Sequence, residues 1–523
     1  MEGVEDIPGT ALHEGVDWNW ETFPEFLDAI EKKDFVMDLG FMIGHGPLRS
    51  YVMGYERCQS QVDASKEEIS KMSDIVTEAI ESGALGFSTS RTILHRDVHG
   101  VYVPGTEASS EEMKSLAFAI DKAGEGTLEI VSDWLDKEIE MSWMREYVEK
   151  SDCGLTVLQT SGDAVKTILF CEEQFLKGKN VRPQFPGRNV GMMFGLESSL
   201  HPFIGHPSYR EIADLPLSER VKIMKDPAFK EKLLNEKPNF ASEIEKSMNE
   251  QGNTKSQEEI KEAANLGLKL ISNYDTQFIL GDPPNYEPGK EDSIAALAKS
   301  KGIAELEVIY DEFLKNEGTN LVYACFTPYD NHKLDFVERA YSLKSSVAGG
   351  SDGGAHCGLI CDASMPTTNL SHWARDREAG KKIPIELIVR KQTKDTAETY
   401  GLFDRGEIKT GMLADLNIID FEKLNVTHPK MVYDLPLGGR RLIQTSSGYL
   451  ATVKSGEVVY EAGEATGVLP GKLIRGKQTC EVKTEKERVP FIDRTLRLMS
   501  VKAFKLLWNF RKSSVKTTVV SDD

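Results

Sequence analysis

The stretch Val347-Ala348-Gly349-Gly350-Ser351-Asp352-Gly353-Gly354-Ala355-His356 carries the sharpest chemical signal in this sequence. An apolar strand leads into an aspartate flanked by glycines. Glycine lets the backbone turn sharply and lets a metal or substrate come close. In a barrel of βα units such an aspartate stands at the C-terminal rim of a strand, where active sites gather. A carboxylate there can hold a divalent cation and take a proton from the water bound to it. The same pattern fits an Asx turn that caps a following helix. Spacing alone leaves both readings open.

Ten histidines are few for 523 residues, so their spacing decides what they can do. His45 stands between Gly44 and Gly46 after the apolar run 35–43, another strand-to-loop exit, and His356 closes the glycine-rich stretch. His201 and His206 bracket Pro202-Phe203-Ile204-Gly205. His95 and His99 are four apart, but Gly100 and Pro104 follow, which argues against a helical pair of metal ligands. A lone histidine is more often a hydrogen-bonded structural residue than a ligand, and glycines near a strand end set His45 and His356 apart from that rule. Asp275 and Asp282 have the surroundings of turn residues. There is no His-x-His, His-Glu-x-x-His or Cys-x-x-Cys. Glycine-rich nucleotide signatures are absent, which leaves a dinucleotide or ATP enzyme without support. No Gly-x-Ser-x-Gly elbow occurs either, which weakens a serine hydrolase reading.

The elements that must position these residues follow from periodicity. Short apolar runs at 35–43, 127–131, 155–159, 190–194, 321–326 and 346–348 read as strands, with amphipathic stretches between them. Ser65-Lys66-Glu67-Glu68 is a capping box, followed by Ile69, Met72, Ile75, Val76, Ala79 and Ile80 on one helical face and stopped by Gly83. Residues 109–124 repeat the idea with Met113, Leu116, Ala117 and Ile120. Strand, helix, strand at this spacing argues for parallel βα units, as a doubly wound sheet or a closed barrel. Residues 210–265 are rich in Lys, Glu, Asn and Ser and read as a helical excursion, either a lid over a barrel mouth or a solvated insertion. A helix spans 384–401, with proline in its first turn and glycine at its end. Beyond it the pattern turns to β, and 449–461 reads as a hairpin about Lys454-Ser455-Gly456.

Composition narrows the function classes. The formal charge is −20 and the pI near 5.1, a surface that repels phosphate backbones and leaves nucleic acid outside the expected partners. Seven scattered cysteines, with no Cys-x-x-Cys pair, fit a reduced compartment. No secretory pattern opens the chain and no run of 18 apolar residues occurs, so the expected location is the cytoplasm. The segment 489–512 is basic and amphipathic, suited to a membrane or partner surface or to a helix docked on its own barrel.

Several segments resemble the N-acyl-D-amino-acid deacylase (D-aminoacylase) branch of the amidohydrolase superfamily. They are Met1-Glu2-Gly3-Val4-Glu5-Asp6-Ile7-Pro8-Gly9, Gly44-His45-Gly46-Pro47-Leu48-Arg49 and Gly83-Ala84-Leu85-Gly86-Phe87-Ser88-Thr89-Ser90. Ser351-Asp352-Gly353, Asp404-Arg405-Gly406 through Ala414-Asp415-Leu416, and the stretch 456–476 complete the match. The resemblance covers residues 1 to about 476. It implies a (β/α)8 TIM-type barrel joined to a small β-sandwich, with zinc at the barrel mouth. It implies a hydroxide on that zinc attacking an amide carbonyl, and Asp352 moving the proton. The substrate class it implies is a small N-acyl-D-amino acid.

The resemblance also sets expectations for the site. The family's His-x-His and cysteine ligands would precede the motif that opens this chain, so the sequence reads as a family member without its beginning, with the barrel incomplete at its first strand. Two further histidines are expected where this chain has Val131-Ser132-Asp133-Trp134 and Leu158-Gln159-Thr160. Of the usual ligand set only Asp352 is matched. A zinc site needs three protein ligands and an open position, so the metal candidates are Asp352 with His45, His201 and His356. Arg91, His95 and Ser351 are the candidate substrate contacts. The expected domains are a barrel over 1–403 with the excursion near 210–265, a β-rich part over 404–476 and a tail over 477–523. Two readings of function remain: a hydrolase of carbon–nitrogen bonds, or a catalytically impaired relative that binds a ligand or partner.

Overall fold

The computed structural model describes residues 1–60, 62–97, 100–134, 136–159, 165–240, 265 and 267–480. Its central sheet has six parallel strands. In chain order they are β1 (Met42–Gly44), β2 (Gly86–Arg91), β3 (Thr127–Ser132), β4 (Gly154–Leu158), β5 (Val181–Pro186) and, after β6 (Val190–Phe194), β7 (Gln277–Ile279) and β8 (Val322–Thr327), β9 (Val347–Gly349). Spatially the sheet runs β1-β2-β3-β4-β5-β9, so the chain end of β9 lies directly beside that of β5. The helices Lys66–Glu81, Ser110–Ala123, Lys137–Lys150 and Val165–Leu176 connect successive strands, the βα arrangement of a barrel wall.

Side-chain alternation decides which face meets the helices. Phe87, Leu128, Ile130, Leu155 and Val157 pack into one core with Val76, Ile80, Met113, Leu116, Ile120, Trp143 and Tyr147 of the helices. With a period of two, Ser88, Ser90, Glu129, Val131 and Thr156 are left for the opposite, concave face. Each large apolar side chain moved out of water there contributes about 1.5–3 kcal/mol. The helix ends are also as read from sequence. Ser65 and Glu68 form a reciprocal capping box, and Gly124 closes the next helix in the left-handed region at φ 84°.

Three expectations change. The runs at 190–194 and 321–326 are strands, but β6, β8 and β7 form an antiparallel sheet outside the parallel one. That sheet packs with helices Leu217–Met224, Pro227–Asn235, Ile294–Lys301 and Glu305–Phe313 around its own core of Phe194, Phe203, Met224, Leu233, Ile309 and Phe313. The run 35–43 supplies only the start of a strand, Met42–Gly44; Phe35 and Leu39 instead bridge to Gly471 and Leu473. The helix of 384–401 breaks at Thr393 into Ile385–Gln392 and Lys394–Thr399.

The β-rich part comprises β10 (Leu416–Ile419), β11 (Asn425–Val426), β12 (Lys430–Leu435), β13 (Gly439–Ile443), β14 (Ser446–Ser447), β15 (Tyr449–Lys454), β16 (Glu457–Glu461) and β17 (Glu464–Ala465). The hairpin β15–β16 turns on Ser455 and Gly456, both at positive φ (52° and 85°), the geometry a two-residue primed turn requires. The segment 489–512, His99 and most of the excursion beyond residue 240 lie outside the described residues. Among the described residues no helix is long and apolar enough to cross a membrane.

Candidate active site

The C-terminal ends of β2, β3, β5 and β9 face the same rim, because parallel strands all point one way. β9 exits through Gly350 at φ 73° into a loop where Asp352 and His356 also take positive φ, 42° and 51°. For residues with a Cβ this conformation costs on the order of 1–3 kcal/mol each, and it persists where surroundings enforce it. The N-terminal segment does so here. His356 Nδ1 lies 2.7 Å from the carbonyl oxygen of Val4, Cys357 N donates to Glu5 O at 2.9 Å, and Gly358 N donates to Asp6 Oδ2 at 3.1 Å.

Asp352 stands beside that histidine, with Oδ2 3.9 Å from His356 Nε2, and its side chain is 58% exposed. His95, on the loop that follows β2, faces the same pair, its ring centre 6.5 Å from that of His356. His95 Nδ1 and Ser90 Oγ are 2.7 Å apart. Burial, aided by the neighbouring His356, pulls the His95 pKa below its ordinary value of 6.5, against the opposing pull of Asp352 and Asp133. The ring is therefore neutral near pH 7, with a nitrogen able to accept a proton. One carboxylate, one neutral imidazole and one hydroxyl at a strand-end rim suffice for acid–base work. Ser351 lies half-buried beside Asp352 on the same turn.

The remaining sequence candidates lie elsewhere. His45 is fully enclosed on the helix-facing side: Nδ1 is 2.8 Å from Thr89 Oγ1, and Nε2 is 2.9 Å from Glu112 Oε1. Arg49 meets the same Glu112 oxygen at 2.9 Å, so both ring nitrogens of His45 belong to a buried structural network. His201 sits in the core of the antiparallel sheet against Tyr209, Phe203 and Phe313, and its Nδ1 accepts from Phe203 N at 3.2 Å. Burial drives its pKa down to about 3. Arg91 ends β2 facing Glu140 at 2.7 Å and holds the carbonyls of Gly105 and Ala108, so it braces the loop instead of the rim. The structure thus gathers Asp352, His356, His95 and Ser351, and separates His45, His201 and Arg91 from them.

Zinc needs three protein donors around an open position. Among the described residues no group of three or more His, Cys, Asp or Glu side chains is placed to hold a metal ion. At the positions where the resemblance expects histidines, Asp133 Oδ2 is taken by Ile93 N at 2.7 Å, and Gln159 is buried with its Oε1 unpartnered. The described residues do not fit the zinc that the resemblance implies.

Two features were not foreseen from sequence. Ser90 was part of a recognised segment, and its place one residue before the end of a strand is the signal that could have singled it out. Arg188, just after β5, is fully buried and pairs with Asp362 at 3.1 Å while lying 3.5 Å over the Tyr286 ring. Burial outweighs that arginine and raises the Asp362 carboxyl to about 7. A cleft of ≈ 640 Å³ opens at the opposite end of the sheet, lined by Gly126, Thr127, Gly154, Asn180, Arg182 and Tyr400. Gly126, Thr127, Gly154, Asn180 and Arg182 lie at or beside strand starts, Tyr400 follows the helix Lys394–Thr399, and none belongs to the rim that carries Asp352.

Comparison with known proteins gives the chain its relatives. A D-aminoacylase of Alcaligenes xylosoxydans xylosoxydans is 24% identical over 417 residues, 79% of this chain and 67% of that protein. An uncharacterized Mycobacterium tuberculosis protein is 24% identical over 476 residues, 86% of this chain and 72% of its own length. The N-acyl-D-glutamate deacylase of Bordetella bronchiseptica, solved with zinc and a phosphonate inhibitor, superposes with a TM-score of 0.50 at 17% identity, over 91% of this chain and 80% of that one. At that identity the likeness is one of fold, a barrel wall with a β-rich part. The amidohydrolase family profile matches residues 1–460. This chain belongs to the amidohydrolase family, hydrolases of carbon–nitrogen bonds.

Proposed function

We propose that the chain hydrolyses the amide bond of a small N-acyl amino acid at the rim formed by β2 and β9. The observation that carries this reading is the meeting of Asp352 with His356 and the neutral His95 at one strand-end rim. Asp352 is the carboxylate that supports proton transfer, and His95 is the group that takes the proton. N-acyl-D-amino acids are the first substrates to try, because a D-aminoacylase is among the relatives. No step is assigned to a metal, since the described residues do not fit one. The test is release of free amino acid from N-acetyl-D- and N-acetyl-L-amino acids by purified protein. D352N is expected to lower kcat by roughly 10²–10⁴-fold, the usual worth of a positioned acid–base group. Full turnover by D352N would remove Asp352 from the chemistry.

A second reading, a relative that binds such a ligand without cleaving it, is favoured by the lack of a three-donor set among the described residues. Its signature is saturable binding of an N-acyl amino acid by calorimetry with no amino acid released.

A further inference from the structure

We infer that the basic segment 489–512 folds back as a helix onto its own chain. It covers the cleft at the strand-start end of the sheet and the outer face of the helix Val165–Leu176. The inference is independent of any chemistry at the Asp352 rim.

The receiving surface is apolar and open. The helix Val165–Leu176 buries Thr167 and Cys171 and leaves Val165, Leu169 and Leu176 at 55%, 59% and 61% exposure. Spaced by four and seven residues, these three share one side of the helix. Phe175, next to Leu176, lines the ≈ 640 Å³ cleft, as does Phe403, itself 40% exposed. The row therefore leads into the cleft at its Leu176 end. An open apolar surface of this kind marks a place where something docks.

The segment has the matching pattern. Ile492, Leu496, Met499, Ala503, Leu506 and Phe510 are spaced by four, three, four, three and four residues, the period that puts side chains on one helical face. Arg494, Arg497, Lys502, Lys505, Arg511 and Lys512 fall outside that row, against a single acid, Asp493. Pro490 stands where a helix starts. As a helix, Ile492 to Phe510 is about 27 Å long, and the row from Val165 to Leu176 is about 17 Å, with the cleft beyond it.

The path of the chain supplies the occupant. Gln478 N donates to Gly401 O and Phe403 N to Gln478 O, both at 3.0 Å, and Gly476 and Lys477 line the cleft. Twelve positions separate Cys480 from Ile492, enough to span about 40 Å when extended. The segment thus reaches the cleft of its own chain at small loop-closure cost. Charge agrees. Among the carboxylates of the lining, Asp152 meets Lys179 at 2.8 Å and Glu398 lies 3.5 Å from Arg182. Asp121, which accepts from Ser151 Oγ at 2.8 Å, and Glu125 carry no ion pair among the described residues. Lys502 borders the apolar row and extends to these two acids from the docked helix. Such rim pairs add little affinity but set orientation. An anionic membrane is the other target of a basic amphipathic helix, but it would leave the apolar row and the cleft uncovered.

The test uses the full chain, mixed from isotope-labelled and unlabelled protein and treated with a water-soluble carbodiimide, which joins only carboxylates and amines already in contact. Links from Asp121 or Glu125 to Lys502 or Lys505 within single isotopic copies are expected. Trypsin reads the same docking. Cleavage after Arg497 and Lys502 should speed up at least roughly tenfold in L169D/L176D, because each buried leucine is worth about a decade or more in the open population. Both substituted positions are exposed, so the core of the variant is unchanged. Absent links, or equal cleavage rates in the variant and the wild type, overturn the inference. Links that mix the two isotopes overturn it in favour of a second copy. Co-sedimentation of wild-type protein with phosphatidylserine vesicles overturns it in favour of a membrane.

Discussion

Asp352 and His45 illustrate how similar sequence surroundings give opposite roles. Both follow an apolar strand and sit among glycines, yet Asp352 is half-exposed at the rim while His45 is closed inside with Glu112 and Arg49. Glycine and strand context tell where the backbone turns, but not which face the next side chain takes. That depends on one residue of register. The strain at Asp352 gives a prediction that separates stability from chemistry. D352G removes a Cβ from a φ of 42° and is expected to raise the free energy of unfolding by about 1 kcal/mol, read as a higher denaturant midpoint, while abolishing turnover. A lower midpoint would mean that the carboxylate holds its own loop. H45A should do the reverse of a catalytic lesion. It leaves the buried Glu112 with arginine alone and should cost about 3 kcal/mol, read as a fall in Tm, with no direct effect on the reacting groups.

Among the elements, β2 and β3 show how tightly the rim is built from below. A Cβ on Gly86 would lie 1.9 Å from the carbonyl oxygen of Thr127, its neighbour in the parallel register. Any side chain there must push two strands apart, so G86A is expected to cost more than 3 kcal/mol or to prevent folding. S65A, which removes only the capping box at the start of the helix Lys66–Glu81, should cost about 1 kcal/mol. Chemical denaturation of both variants checks the ratio. The same elements show what was legible beforehand. The helices Lys66–Glu81 and Ser110–Ala123 and strands β3, β4 and β9 carry regular periodicity and clear caps, and they stand where periodicity puts them. β5 was missed because Val-Arg-Pro-Gln-Phe-Pro alternates wrongly and carries two prolines, although all six of its residues are buried. A strand flanked on both sides by β4 and β9 can bury polar side chains that find partners, as Gln184 does with Glu129 and Tyr400. Direction of pairing was not legible at all. β6 and β8 read like parallel strands, and only tertiary packing makes them antiparallel.

Across the whole molecule, Phe185 of β5, Tyr341, Trp373 and the β-rich residues Leu424, Val426 and Leu442 share one core. The β-rich part therefore completes the hydrophobic interior of the sheet, and calorimetry is expected to show these regions melting in one transition. A separate earlier peak for residues 404–476 would contradict that sharing. Glu287 ties further segments together: it meets Arg377 at 3.0 Å, His372 at 2.8 Å and the amide of Leu334 at 3.1 Å. Burial alone would raise its pKa, but the bonds from His372, Arg377 and Leu334 more than offset this and hold it at about 2, below the ordinary 4.5. With the folded value depressed, the stabilisation is complete above pH 4.5 and is lost as pH falls toward 2, a contribution of about 3 kcal/mol. E287Q should accordingly flatten the loss of stability over that interval in denaturation curves taken from pH 5 to pH 2.

The clasp between Val4 and His356 joins atoms 352 positions apart in sequence. Contacts so distant must wait for a large loop to close. During synthesis the wall strands β1 to β5 emerge and can pair long before the turn bearing Asp352 exists. A nascent chain arrested before Gly350 would thus hold the wall strands and His95 without the carboxylate that His95 faces. The rim is complete only once that long loop has closed.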